Sequence, residues 1–128
     1  MGLLLFDADS DGDRDLLAVS GGVEATGADL QDRLYLNDGK GNFSPAPAGA
    51  LPPTEESGGP VAAADFDRDG DLDLFVGGRV VPGQYPIAPA SRLLVNQGGT
   101  FTDATRELAP ELERLGLVTG AVFADMDD

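Results

Sequence analysis

Short apolar runs alternate with polar, glycine-bearing turns along the chain, a pattern typical of β-strands. Residues 3–6, 61–64 and 121–124 are continuous apolar runs, as expected of strands that are buried on both faces. Residues 16–19 and 72–76 follow aspartate-rich segments and read as second strands. The pattern therefore predicts pairs of strands joined by acidic loops.

Each strand pair is followed by a hairpin signal. RLYLN and NFSPA flank the turn DGKG, and RLLVN and TFTDAT flank QGG. This gives four strands per unit, while residues 106–115 form the single helix that the sequence predicts.

The acidic segments begin at Asp7, Asp65 and Asp125, so the repeat spacings are 58 and 60 residues. We interpret residues 1–58 and 59–116 as two full repeats and residues 117–128 as the start of a third. A sandwich need not repeat its sequence strand by strand, whereas a β-propeller does. The predicted fold is therefore all-β, with two propeller blades of four antiparallel strands plus one extra inner strand.

Composition limits the classes of function that the protein can have. The 128 residues are 41% hydrophobic and carry a formal net charge of −15, with the few basic residues scattered, which argues against nucleic acid as a partner. Cysteine and histidine are absent, so carboxylate oxygens are the metal ligands on offer. No apolar run approaches the roughly 20 residues of a membrane span, and a predicted strand follows Met1 directly, so we expect neither membrane insertion nor a signal peptide.

Two loops, residues 7–15 and 65–73, share the pattern D-x-D-x-D-G-D-x-D. Alternating carboxylates on a tightly turning chain converge on one point, and Ca²⁺ accepts six to eight such oxygens in flexible geometry. We expect about two Ca²⁺ ions per chain. The predicted side-chain ligands are Asp7, Asp9, Asp11, Asp15, Asp65, Asp67, Asp69 and Asp73. Asp13 and Asp71 are expected to contribute main-chain carbonyls.

Two alternatives compete with this interpretation. An EF-hand starts with the same letters but needs a glutamate at position 12, where Ala18 and Val76 stand here. A solvated acidic turn would explain a single DGD, but two five-aspartate loops at matched spacing favour a metal site.

The acidic loops, the DLDLFV strand and the RLYLNDGKGNF hairpin resemble the FG-GAP or VCBS repeats of integrin-α-like β-propellers. The resemblance implies one Ca²⁺ ion in each complete loop, and an extracellular or cell-surface (including periplasmic) parent protein that serves as an adhesion or ligand-binding platform. The third loop departs from the pattern, because Asp125 and Asp127 match its first and third positions but the sequence stops at Asp128.

We interpret the chain as a structural or interaction module without catalytic activity, whose ligand is an extracellular protein or carbohydrate. A lectin-like sugar binder stays open. A glycosidase or lyase would need two opposed carboxylates from the scattered glutamates, which the sequence does not indicate. The glutamates concerned are Glu55, Glu56, Glu107, Glu111 and Glu113. The loop at residues 79–86, rich in proline and glycine, reads as a decorative turn rather than a ligand contact.

Two blades alone leave apolar faces and strand edges open to water, so we expect a homo-oligomer. A trimer of six blades or a tetramer of eight is favoured over a dimer of four. Residues 3–6 and 121–124 are equivalent inner strands that compete for one position in such a ring. We expect the N-terminal copy to occupy it, because it leads into a complete acidic loop.

Overall fold

The computed structural model describes residues 1–22, 27–84 and 87–124, which form two four-stranded antiparallel sheets. The first sheet contains β1 (Gly2–Phe6), β2 (Asp15–Val19), β3 (Arg33–Asn37) and β4 (Phe43–Pro45). The second contains β5 (Ser57–Ala64), β6 (Asp73–Val80), β7 (Arg92–Gln97) and β8 (Thr100–Asp103). In each sheet the strands lie in chain order, which confirms the predicted all-β fold of two propeller-like blades.

Alternation along the strands decides which side chains meet between the sheets. In β2, Leu17 and Val19 are buried, whereas Leu16 and Ala18 are half-buried on the opposite face. The core thus lies between one face of each sheet. From the first sheet it takes mainly Leu4, Phe6, Leu17, Val19, Leu34 and Leu36, and from the second Val61, Ala63, Leu74, Val76, Leu94 and Phe101.

The second sheet is longer than the sequence predicts. β5 begins at Ser57 and β6 runs on to Val80, with register irregularities between Ser57 and Val61. Glycines make this possible, because a Cβ atom added to Gly58 would collide with the side chain of Val19 in the first sheet. The irregular start of β5 therefore packs directly on the neighbouring sheet.

Two sequence predictions need correction. The helix expected at residues 106–115 is divided into α1 (Thr105–Leu108) and a 3₁₀ helix (Pro110–Arg114), because proline cannot continue the hydrogen bonding of α1. A further 3₁₀ helix, Gly27–Leu30, was not predicted.

Residues 121–124 form no strand, contrary to the prediction of an extra inner strand. β1 and β5 each pair with the strand that follows an acidic loop. Among the described residues, the segment 121–124 pairs with no strand of either sheet. In the described ranges, no helix is long and apolar enough to cross a membrane.

Buried polar contacts also join the two sheets. Arg92 forms an ion pair with Asp32 across the interface at 2.6 Å, and both side chains are largely buried. Asn96 is fully buried, and its Nδ2 donates to the carbonyl of Ala8 in the first acidic loop (residues 7–15) at 2.8 Å. The same nitrogen donates to the carbonyl of Leu72 in the second acidic loop (residues 65–73) at 3.0 Å. Asn96 therefore ties both loops together.

We predict that Asn96→Ala lowers the free energy of unfolding by about 3 kcal/mol. The substitution leaves the carbonyls of Ala8 and Leu72, and the amide of Gly99, without their hydrogen-bond partner. Asn37→Ala is the matched control. Asn37 occupies the equivalent place in β3, but its Nδ2 donates only to Arg14, within its own sheet and near solvent. Urea denaturation of the monomeric chain should give a loss of about 1 kcal/mol or less for the control. Equal losses for the two variants would contradict the bridging role.

Candidate metal centres

The two acidic loops have the same backbone shape. Their fourth residues, Ser10 and Arg68, have positive φ angles of 63° and 64°. Their sixth residues, Gly12 and Gly70, have φ angles of 94° and 100°. Such values are rare for residues with a side chain, so finding them at matched positions shows that the sequence repeat is also a repeat in conformation.

The first aspartate closes each turn. Asp7 accepts hydrogen bonds from the main-chain amides of Asp11 and Gly12 at 3.2 and 3.0 Å. Asp65 accepts the equivalent bonds from Asp69 and Gly70 at 3.1 and 3.0 Å. The amides of the turn thus offset part of the carboxylate charge before any cation is considered.

The ninth residue of each loop anchors it to the sheet. Asp15 and Asp73 are fully buried, and each carboxylate accepts two main-chain hydrogen bonds. The donors are Ala8 and Asn37 for Asp15, both at 2.8 Å, and Phe66 and Asn96 for Asp73, at 3.1 and 2.9 Å. One donor comes from the loop and the other from the third strand of the sheet, so the position of the carboxylate is fixed from both sides.

Three predicted ligands come together in each loop. Each residue of a cluster offers one carboxylate oxygen within 4.8 Å of the others. The clusters are Asp7, Asp9 and Asp15, and Asp65, Asp67 and Asp73. Ca²⁺–oxygen distances are about 2.3 to 2.6 Å, so two ligands on opposite sides of one ion lie about 5 Å apart. Both clusters therefore fit a shared hard cation.

In the absence of a cation, burial and like charge raise the pKa of one carboxylate in each cluster. Desolvation, reinforced by the charges of Asp11 and Asp15, raises the pKa of Asp9 above its ordinary value. Desolvation raises the pKa of Asp67 as well, and the nearby charge of Asp73 adds to the effect. A divalent cation would relieve this repulsion, because an opposite charge favours the ionised form.

The fifth residues stand apart from the clusters. The carboxylates of Asp11 and Asp69 accept the amides of Asp13 and Asp71, two residues further on, each at 2.9 Å. Neither carboxylate belongs to the cluster of its loop, so side-chain ligation by Asp11 and Asp69 stays a prediction.

The seventh residues differ between the loops. Asp71 accepts the hydroxyl of Ser10 at 2.7 Å and the amide of Gly98 at 2.8 Å, and these bonds, that of Ser10 first, lower its pKa. Desolvation, followed by the charge of Asp11, raises the pKa of Asp13. The side chain of Asp71 is therefore engaged in joining the loops. Metal ligation through the main-chain carbonyls of Asp13 and Asp71 stays a prediction.

Sequence reasoning missed the roles of Asn37 and Asn96. Both end a predicted third strand, and they lie 22 and 23 residues after Asp15 and Asp73, respectively. That matched spacing was visible in the repeat, but only the fold shows that these residues hold the buried aspartates.

The remaining candidates lie elsewhere. Glu56 accepts the amide of Ala90 at 2.6 Å, and Glu113 pairs with Arg106 at 2.6 Å, so both carboxylates have local structural partners. The predicted third loop, with Asp125, Asp127 and Asp128, lies outside the described residues, as do positions 85 and 86 of the 79–86 loop.

Comparison with known protein families supports the repeat assignment. A family model described as FG-GAP-like repeat matches residues 7–76, a span that includes both acidic loops. Searches of curated proteins and of solved structures gave no match.

We predict opposite effects for two aspartates of one cluster. Asp73→Asn replaces an acceptor oxygen by an NH₂ group facing a main-chain amide, and should cost about 2 kcal/mol of stability even in chelator. Asp67→Asn removes a repelling charge at an exposed position, so the melting temperature in chelator should stay equal or rise. Calorimetric melting in EDTA distinguishes the two, and a larger loss for Asp67→Asn would refute the assignment.

Gly70→Ala should destabilise the protein by about 1 to 2 kcal/mol, because its positive φ is unfavourable for residues with a Cβ. Gly120→Ala is the control, since a Cβ at either glycine meets no atom within 4 Å and Gly120 lacks a left-handed φ. Thermal unfolding of both variants in chelator measures the backbone effect alone. An unchanged melting temperature for Gly70→Ala would contradict the described loop shape.

Proposed function

Because the chain belongs to the FG-GAP-like repeat family, we propose that it is a calcium-binding β-propeller module in which each acidic loop holds one Ca²⁺ ion. One observation carries the proposal: the same three positions gather their carboxylates in both loops, on the same backbone shape. Oxygen ligands without histidine or cysteine suit Ca²⁺ better than a transition metal.

Calcium would act as a structural clamp. Asp15 and Asp73 are already fixed to the sheets, whereas Asp9 and Asp67 lie on the outer part of each turn. An ion shared between the anchored and the outer carboxylates would hold the turn against the second strand. Since the unfolded chain does not assemble these ligands, the binding free energy becomes free energy of folding.

The module is proposed to serve adhesion or ligand binding rather than catalysis. The support is the location of the clustered acids, which lie in two repeated loops and accept hydrogen bonds from main-chain amides. We further propose an extracellular or cell-surface parent protein, with a protein or carbohydrate ligand, and a self-associated ring of three or four copies. Extracellular calcium modules work with dissociation constants of about 10⁻⁴ to 10⁻³ M, which partly exposed loops of this kind fit.

We predict that titration calorimetry detects about two Ca²⁺ ions per chain, and that calcium raises the melting temperature. At free calcium a hundredfold above the dissociation constant, each site adds about 2.7 kcal/mol to the free energy of unfolding. Mg²⁺ should give a much smaller shift, because it keeps its waters and demands octahedral geometry. An unchanged melt, or no heat of binding, would overturn the proposal.

Single substitutions test where the calcium ions bind. Asp67→Asn should reduce the stoichiometry to about one, because it disrupts only the second cluster. Asp29→Asn removes the same charge from an exposed 3₁₀ helix outside the loops, and should leave two ions bound. Loss of a site in Asp29→Asn would point to diffuse counterion binding instead of two built sites.

A further inference from the structure

The outer face of the first sheet is apolar and uncovered. Leu3 and Leu5 are 66% and 56% exposed, and their cross-strand partners are Ala18 and Leu16. Directly opposed residues in an antiparallel pair point to the same side, so these four side chains share one surface. We name it the open face. It consists of Leu3, Leu5, Leu16, Ala18, Tyr35 and Phe43.

The equivalent surface of the second sheet is buried. By the repeat spacing, Val61 and Ala63 correspond to Leu3 and Leu5, and both pack into the core against the first sheet. Phe101 corresponds to the 46% exposed Phe43, is only 3% exposed itself, and contacts the ring of Phe6 edge-on. The open face is therefore the type of surface that this chain covers with a neighbouring sheet.

The second sheet also presents the complementary surface. Ala62 and Phe75, which correspond to the core residues Leu4 and Leu17, lie on the side away from the first sheet. We name this side the far face. Residues 115–123 lie over it and leave a cavity of about 350 Å³, and Val122 is 85% exposed. This cover is much looser than the packing between the two sheets.

The covering segment occupies a position that the repeat defines. The amide of Val118 donates to the carbonyl of Gly78 at 2.9 Å. The amide of Gly58 donates to the carbonyl of Ser20 at 3.0 Å, and the two bonds are equivalent by the repeat spacing. Residues 118–123 thus occupy the same place on the second sheet that the start of β5 occupies on the first sheet. The far face is therefore a surface on which another sheet can pack.

We propose that the open face docks on the far face of a second copy of this chain, head to tail, so that the junction repeats the internal interface between the two sheets. The inference rests on the proposed function and specifies how its ring is assembled. Residues 119–123 are displaced from the far face at this junction, since the docked β1 takes their place. Because these residues pack loosely, their displacement breaks few contacts.

The internal interface supplies the hydrogen bond that sets the register. Asn96 donates to the carbonyl of Ala8, the second residue of the neighbouring acidic loop. Asn37 is the counterpart of Asn96, and the carbonyl of Phe66 is the counterpart of that of Ala8. At the junction, the Asn37 amide of one copy therefore donates to the Phe66 carbonyl of the next.

Charge complementarity argues for a second copy as the occupant. Inside the chain, Ser10 at the fourth loop position donates to Asp71 at the seventh position of the next loop. At the junction, the fourth position is Arg68 of one copy and the seventh position is Asp13 of the other. An ion pair would therefore take the place of the hydrogen bond from the neutral serine. The internal pair of Arg92 and Asp32 is not reproduced, because Ser91 stands where the junction would need the acid.

Light scattering in saturating calcium tests the junction. Leu5→Asp places a charge at its centre and should weaken association about a hundredfold or more, leaving a monomer at micromolar concentration. Leu108→Asp is the matched control, because Leu108 is 54% exposed against 56% for Leu5 but lies on α1. Equal weakening by both variants, or a wild-type chain that stays monomeric, overturns the proposal.

A charge exchange tests the pairing itself. Arg68→Asp should weaken association about tenfold, and Asp13→Arg should do the same. The double variant should recover most of the loss, because the ion pair is then reversed rather than removed. Failure of the double variant to recover association refutes this register.

Calcium stoichiometry separates the two levels of inference. Two ions bound to Leu5→Asp, with association lost, supports both the metal sites and the junction. A wild-type chain that binds two ions but never associates refutes the junction and leaves the metal sites supported. Absence of calcium binding in a chain that still associates through the open face contradicts the proposed metal function and leaves the junction standing.

Discussion

The fold depends on two buried carboxylates. Asp15 and Asp73 have no exposed surface, and a charge in that position is tolerated only where hydrogen bonds replace its water. Each receives one amide from its own loop and one from the end of the third strand. A single side chain thereby fixes the start of the second strand, the turn before it and the strand beside it. A carboxylate oxygen that accepts one amide still has a lone pair to offer, so the same group can serve both the sheet and a cation.

The same anchoring extends from one sheet to the next. Asn96 gives its main-chain amide to Asp73 and its side-chain amide to Ala8 of the neighbouring loop. The acidic loops of adjacent sheets are therefore connected through one buried residue. Order in one loop should favour order in the other, because the asparagine can keep both contacts only while both loops hold their shape. The apolar core between the sheets sets their separation, and the asparagine sets their register.

The parts that the sequence predicted are those with a local or repeated signal. The apolar runs, the glycine-bearing turns and the spaced aspartates each occur twice, so the two sheets and the clusters of Asp7 and Asp65 followed from pattern alone. The direction of the Asp11 and Asp69 side chains, which lie outside the clusters, did not, because alternation along the chain does not fix where each carboxylate points. The segment at residues 121–124 carries the pattern of an inner strand but lacks a pairing partner in the described chain. Strand formation needs that partner as well as the pattern.

Position in the array changes the electrostatics of an identical residue. Asp13 and Asp71 occupy the same place in their loops, yet the pKa of Asp71 is lowered and that of Asp13 is raised. The main cause of the lowered pKa of Asp71 is the hydrogen bond from the hydroxyl of Ser10, in the neighbouring acidic loop. Asp13 lies in the acidic loop of the first sheet, the sheet that carries the open face, and lacks such a bond among the described residues. Ten of the 23 acidic residues lie in these two loops, and in the first loop desolvation, followed by the charge of Asp11, raises the pKa of Asp13. The uncovered apolar surface and the unrelieved charge thus occur on the same sheet, and a docked neighbour with a basic residue at the fourth loop position would relieve both at once.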